Sequence, residues 1–471
     1  MLIWIVLSVG WIAADRGIRD GDEEGHVGAA ELYLSDLDQA DVGALVSKAW
    51  LGEGMGEYPQ GFASITAVWW WLQDGGLPGR PAVRAICLLG LLLAAWSTGR
   101  LARRHAPPER ADLAELTATI GVLMLPLANG LSRHFMPEGL LIGALALALL
   151  AAVRATERPT VGRLLVFGLA VGAGILIKQT FVLVGAVPLA ALLIGLRRAG
   201  WHRVLGVCVV TAATAGPWVG GRLSGQADYL SQSAAGQGDA NLISHLIYYP
   251  WTMGWLGLGP VLALATIASL AMLLKSGQRR AIGLGALWLL GGLVILTLVP
   301  KKYPRLIAPL LPAVALWWAA AVVRTRRPTQ WLGAFGALAA AWLTIASIHQ
   351  LPIQVAPAGV DPGCPQQWLR PPQPSDLGLS AIAAAMPETA RSQPTVIEVI
   401  GSPEIPCSVQ TTYTWHRHLR PYLSRSGYEA QVHTEPQSSA DLIIDWTEGP
   451  GERIDIPALH SGFWIRPGVL R

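Results

Sequence analysis

Four groups of polar side chains stand in or beside long apolar runs, and their types suit proton transfer and the binding of an anion. The first is RDGDEEGHVG (19–28), which places Asp22, Glu23, Glu24 and His26 directly after the apolar MLIWIVLSVGWIAA. A carboxylate there can take a proton from a hydroxyl. Asp22, Glu23 and Glu138 are also hard oxygen ligands of the kind Mg²⁺ or Mn²⁺ accepts. The second group is SRHFMPEGL (132–140), with Arg133, His134 and Glu138 in a turn that has almost no chain to spare. The third is Lys178 in GILIKQTF, inside an apolar stretch from 164 to 196 that is too long for one span. That stretch folds best as a hairpin with the lysine at its tip. The fourth is VPKKYPRLIAP (299–309), which carries Lys301, Lys302, Tyr303 and Arg305. Three cations at the end of two apolar runs suit an anionic partner such as a lipid phosphate.

Plainer explanations compete. A carboxylate cluster is ordinary in a solvated loop. Glu138 after Pro137 suits a helix N-terminus, where both the proline and the negative charge are welcome. A lone lysine at the end of an apolar run can snorkel. The basic group at 301–305 is the one that a structural role explains least.

The elements that must position these groups are membrane helices. The chain has 471 residues, 52% hydrophobic and only 14% charged, with a mean hydropathy of +0.42. Soluble globular chains average about 25% charged residues. Apolar runs long enough for a hydrocarbon core of about 30 Å recur. Eleven helices are expected near 1–14, 82–99, 112–130, 136–153, 164–178, 181–196, 204–221, 253–274, 281–299, 306–323 and 330–348. The sequence reads as an integral membrane protein.

Orientation follows from the basic residues. One set of connections carries sixteen Lys and Arg (Arg100 to Arg110, Arg154 to Arg163, Arg197 to Arg203, Lys275 to Arg280, Arg324 to Arg327). The other carries six, namely Arg133, Lys178, Arg222, Lys301, Lys302 and Arg305. The richer set is expected in the cytoplasm. The loop at about 15–80 and residues 349–471 then lie outside, and all four polar groups face the extracytoplasmic side of the cytoplasmic membrane. The first apolar run is short, nearer a signal-peptide core than a full span. No basic residue precedes it, which argues against a signal peptide, and a start codon placed too far downstream would also account for its length.

The first outer loop holds twelve acids against four bases. GAAELYLSDL within it reads as a short helix, and GFASITAVWWWLQ (61–73) as an amphipathic helix lying in the interface, where tryptophan prefers to sit. Past residue 349, PTVIEVI, YEAQVHT and DLIIDW read as strands and TWHRHLRPYLSRSG as a helix between them. A small α/β domain is therefore expected over 349–471. Cys87 and Cys208 sit in expected spans as small apolar residues. Cys364 and Cys407 fall in the outer domain, where an oxidising compartment allows a disulfide. No spacing resembles a zinc site, and no glycine loop of the phosphate-cradling type is present.

These groups, in this order, resemble the GT-C superfamily of polytopic glycosyltransferases, in particular the branch with protein O-mannosyltransferases and the aminoarabinose transferase of lipid A. The resemblance covers about residues 1–325. GDEEGH matches an acidic pair in the first outer loop, registered as Asp22–Glu23 or Glu23–Glu24. EYPQGF (57–62) approximates a Tyr-Pro-Pro-Leu element, with Gln60 in place of the second proline. MPEGL places Glu138 in the aspartate position of a Pro-Asp turn. Lys178 matches a lysine between two spans, and KKYPRLIAPLLP a basic-Tyr-x-x-Pro element.

The resemblance implies a sugar donor on a polyprenyl phosphate and inverting transfer to an acceptor at the outer face. Asp22, Glu23, Glu24 and Glu138 are then the candidate catalytic carboxylates. Lys301, Lys302, Tyr303, Arg305, Lys178 and Arg133 are the candidates for the donor phosphate. His26, Glu57, Tyr58 and His134 are the candidates for substrate contact. A divalent cation is possible and not required, and no nucleic-acid partner is expected. A transporter or flippase of lipid-linked or small anionic substrates is the alternative, because charges in spans also mark permeation routes. A transporter should place its charges near the midplane and show two similar halves, whereas here the polar groups sit at span ends and the halves differ. A non-catalytic scaffold for the C-terminal domain is a third reading, and it leaves the outer cations without a purpose.

Overall fold

The computed structural model describes residues 2–15, 21–51, 59–73, 80–221, 242–277, 279–299, 302–348, 382–384, 395–400, 430–433, 442–445, 452–456 and 461–467. The chain divides into two compact units, Met1–Val9 with Val27–Leu369, and Gly10–His26 with Arg370–Arg471. Helices α1 (Leu2–Ala14) and α2 (Gly21–Asp38) contribute residues to both. The described elements of the first unit are all helices.

The acidic cluster read as loop lies instead on the first turn of α2. Carboxylates in that position meet the positive end of the helix dipole. After α3 (Val42–Val46) and one wide helical turn (Ser47–Leu51) comes α4 (Gly61–Trp71), within the segment read as amphipathic. Its Phe62, Thr66, Ala67 and Trp70 are buried, while Ile65, Val68 and Trp71 on the opposite side are exposed. Phe62 and Trp70 close on Phe135, with ring centroids 4.8 Å and 5.9 Å away.

The central pair is α5 (Arg80–His105) and α8 (Pro137–Glu157). Their backbones touch through glycines. A Cβ on Gly90 would stand 2.3 Å from the Gly139 carbonyl oxygen, and one on Gly143 would stand 2.4 Å from that of Gly90. Without a strong hydrophobic drive between helices in lipid, such close backbone approach is what holds two spans together.

Between them α6 (Ala111–Leu123) and α7 (Pro126–Ser132) form one element bent by 65°. Pro126 cannot donate to the ladder, so carbonyls before it are freed. Asn129 answers them, its amide nitrogen donating to the carbonyls of Leu123 and Leu125. Its side-chain oxygen accepts from the Trp4 indole at 2.6 Å.

The apolar stretch 164–196 breaks where Lys178 falls. Helix α9 (Val161–Ile177) stops at an extended Lys178, and α10 (Thr180–Arg197) returns. There follow α11 (Trp201–Gly220), α12 (Leu242–Thr252), α13 (Gly259–Lys275), α14 (Arg279–Leu298), a 3-10 segment (Pro304–Leu310), α15 (Pro312–Val322) and α16 (Pro328–Ile348). The segment Leu246–Gly257 meets α13 at 111°. Gly259 makes that corner at φ +72°, with the Trp342 indole packed where a Cβ would go.

By length and composition four described helices can cross a membrane, or up to seven spans if each of three bent pairs counts as one. Three further apolar helices, Trp4–Ala14, Val161–Ile177 and Ile282–Leu298, count 10–17 residues. The bends after Leu123, Gly257 and Leu310 divide runs that the sequence reads as single spans.

The second unit carries a five-stranded sheet of order β2-β1-β3-β5-β4. Its strands are β1 (Thr395–Ile400), β2 (Ala430–His433), β3 (Leu442–Asp445), β4 (Glu452–Ile456) and β5 (Ser461–Pro467). β1 pairs in parallel with β2 and β3, with Ile397 opposite both Val432 and Leu442, while β5 runs antiparallel to β3 and β4. The first three strands fall on PTVIEVI, YEAQVHT and DLIIDW. The expected helix TWHRHLRPYLSRSG, Cys364 and Cys407 lie outside the described residues.

Candidate active site

Three of the expected residues meet inside the helical unit. Glu138 is the second residue of α8, held there by Pro137, whose missing N–H is no loss in a first turn. Its side chain is fully buried. The ammonium of Lys178, from the break between α9 and α10, donates to Glu138 Oε1 at 2.6 Å. Arg305, from the 3-10 segment, brings its Nε to 3.1 Å of the same oxygen as an ion pair. The second oxygen, Oε2, is buried and accepts no hydrogen bond.

Among the described residues, two cations thus converge on one buried carboxylate. Burial makes charges costly unless they are paired, and these are paired with one another. The neighbouring turn adds Arg133 and His134, both buried. Loss of hydration brings the Arg133 guanidinium down to about 10.

Lys302 has a different setting. Its ammonium donates to the carbonyl oxygens of Leu296, Thr297 and Val299 at 3.0, 2.8 and 2.6 Å. These carbonyls end α14, so the lysine caps the helix and meets its dipole. It also lies 5.1 Å from the Tyr249 ring centroid, and burial lowers its pKa to about 8. Three residues on, the Arg305 guanidinium sits 5.1 Å from the centre of the Tyr303 ring. The segment is therefore pinned at Lys302 and delivers Arg305 to Glu138.

Of the acidic group, Glu23 is buried and His26 half-buried, and both belong to the other compact unit. The side chains of Asp22 and Glu24, and all of Glu57, Tyr58 and Lys301, lie outside the described residues. No cluster of three or more His, Cys, Asp or Glu suited to a metal occurs among the described residues. Sequence reading missed Arg84, a buried arginine near the start of α5. Its signal was a single basic residue just inside a run taken as cleanly apolar.

Residues 79–218 match the family model described as dolichyl-phosphate-mannose-protein mannosyltransferase. That is under half of the chain. It includes Arg84, Arg133, Glu138 and Lys178 but neither the acidic group nor Arg305. No curated protein matches the chain by sequence. The structure is similar to that of ArnT from Cupriavidus metallidurans in the apo state, with a TM-score of 0.53 and 19% identity over 75% of this chain and 65% of that chain. The same protein bound to undecaprenyl phosphate matches with a TM-score of 0.51 and 18% identity, over 74% and 65% of the two chains. The chain shares the fold of these ArnT structures. It spans less than two thirds of the length of the ArnT it resembles. Within this fold the buried carboxylate and its two cations come from α8, the α9–α10 break and the 3-10 segment. Those are three of the positions at which the sequence motifs place charge.

Proposed function

We propose that the protein is a membrane glycosyltransferase that moves a sugar from a polyprenyl-phosphate donor to an acceptor at the outer face, with inversion. The observation that carries this reading is the buried convergence of Lys178 and Arg305 on Glu138. It occurs in a fold shared with an ArnT whose structure is described as bound to undecaprenyl phosphate.

In this reading the acceptor hydroxyl oxygen bonds to the anomeric carbon as the bond from that carbon to the phosphate oxygen breaks. The electron pair leaves with the lipid phosphate, and the hydroxyl proton passes to a carboxylate. Lys178 and Arg305, with Arg133, bind the phosphate and stabilise the charge that grows on it. Lys301 and Tyr303 are assigned to the same phosphate, and Lys302 holds the segment that carries Arg305. Asp22 or Glu23 serves as the base, with Glu24 as the alternative register. Glu138 is a poor base while two cations hold it, and its oxygens suit it to keeping them aligned. His26, Glu57, Tyr58 and His134 are assigned to substrate contact. Residues 1–348 form the transferase region and 349–471 an extracytoplasmic α/β domain, in the cytoplasmic membrane.

The test is transfer from a polyprenyl-phosphate sugar by purified protein. Lys178→Gln and Arg305→Gln should lower turnover as well as donor affinity, since phosphate charge rises toward the transition state. One of Asp22→Asn and Glu23→Gln should cut transfer by roughly 10²–10⁴, the usual contribution of a positioned base. Movement of a lipid-linked sugar across proteoliposomes with no new glycosidic bond would replace the enzyme by a transporter.

A further inference from the structure

The far ends of α5 and α8 carry a second charged cluster that the transfer reaction does not use. Arg154 lies on α8 sixteen residues beyond Glu138, about 24 Å along the helix at 1.5 Å per residue. That distance approaches the thickness of a hydrocarbon core. Around it stand Arg100, Arg103 and Arg104 from the end of α5, and Arg163 from the start of α9.

The carboxylates in the cluster are already committed. Glu115 is shared by Arg100 at 3.4 Å and Arg103 at 3.0 Å, and Arg103 also pairs with Asp112. Glu157 pairs with Arg104. Arg163 donates to the main-chain oxygens of Arg154 and Arg158. Arg154 forms no ion pair among the described residues, and its Nε is buried and makes no hydrogen bond. The like charges of Arg104, Arg100 and Arg163 act on it, against the single attraction of Glu157. Its guanidinium lies 5.9 Å from the centre of the Trp96 ring, and Trp96 is itself exposed. Five arginines thus face three carboxylates among the described residues, and Arg154 and Arg163 are the two that form no ion pair with them.

We propose that this end of α5 and α8 binds the headgroup phosphate of an anionic membrane lipid, with Arg154 as the principal ligand and Arg163 beside it. An arginine fork matches a phosphate in shape and in charge. An exposed indole at a span end suits the boundary between headgroups and acyl chains. Basic pockets between helices at one membrane face are a recurrent way of holding such lipids. The site is separate from Glu138, Lys178 and Arg305 and belongs to the opposite leaflet.

Native mass spectrometry of the full-length protein, released from nanodiscs of phosphatidylglycerol or of phosphatidylcholine, tests this. The wild-type protein should retain phosphatidylglycerol in preference to phosphatidylcholine. Arg154→Gln should weaken that retention by at least about fivefold, the worth of one basic residue at an anionic surface. Arg163→Gln should weaken it by a smaller factor, and it carries the test if Arg154→Gln does not fold. Arg103→Gln, already neutralised by two carboxylates, should retain the lipid as the wild type does. Equal retention in the Arg154 and Arg163 variants and the wild type would overturn the proposal, as would no preference for the anionic lipid. Release of the lipid by millimolar inorganic phosphate would show a site for a soluble anion instead.

Discussion

Glu138 is the residue on which the buried cluster turns. A carboxylate with no solvent exposure persists as an anion because Lys178 and Arg305 lie against it. Removing one member of such a group costs more than the contact itself, because a charge is left buried without its partner. Glu138→Gln removes the carboxylate that both cations touch and should destabilise the protein by about 3–5 kcal/mol. Lys178→Gln leaves Glu138 in contact with Arg305 and should cost less. The double variant should be more stable than Glu138→Gln alone, because the second change removes one of the two cations that touched the lost carboxylate. A double-mutant cycle in unfolding free energy, measured in detergent, checks this. Additive effects of the two changes would mean that the two side chains do not interact. Each of these residues was legible in the sequence as a charge where an apolar run leaves little room for one. Their convergence was not, since Arg305 joins Glu138 only through the packing of elements far apart in the chain. Lys302 shows the same limit: it read as one of three equivalent cations, and its three carbonyl partners appear only once α14 has an end.

At the scale of elements, prolines and charges gave away the breaks, and glycines did not. Pro137 and Lys178 each fall where a helix starts or stops, and each stood out in the sequence, whereas the break at Pro126 lies inside the span expected over 112–130. The corner at Gly259 lay hidden in MGWLGLGPVLALA, which reads as the start of one span, yet helices meet there at 111°. Two separate constraints act on this glycine. Its φ of +72° is in the region that an L side chain enters at a cost of about 1–2 kcal/mol. The Trp342 indole also stands 2.0 Å from where a Cβ would be. Gly259→Ala should therefore destabilise strongly. Adding Trp342→Ala should recover the part due to crowding and leave the conformational part behind. Full recovery in the double variant, read as thermal stability, would show that crowding alone matters. The start of α2 is the converse case. The acids of GDEEGH suggested a solvated loop because their charge was weighed and their fit to a helix N-terminus was not.

For the whole molecule, the distribution of basic residues ties the candidate site to one side of the membrane. Glu138, Lys178, Arg133 and Arg305 belong to connections of the poorly basic set, six residues against sixteen. The arginines around Arg154 belong to the rich set, at the other end of the same helix. The rich set is expected in the cytoplasm, because translocating basic residues across the membrane is disfavoured. On that expectation the candidate site, the loop at 15–80 and residues 349–471 are proposed to lie outside. Part of that argument survives any change in span number, since α8 alone joins Glu138 to Arg154. Labelling of single cysteines in an otherwise cysteine-free protein reads the sidedness directly. A cysteine at Ser35 or at Ser438 should react in intact cells with a reagent that does not cross the membrane. One at Thr325, beside Arg324 and Arg326, should react only after the membrane is opened. The native Cys208 has to be removed first, since its exposure on α11 would contribute its own signal. Labelling of Thr325 in intact cells with Ser35 and Ser438 protected would invert the protein and place Glu138, Lys178 and Arg305 at the inner face. A donor presented on the outer leaflet could not then reach them.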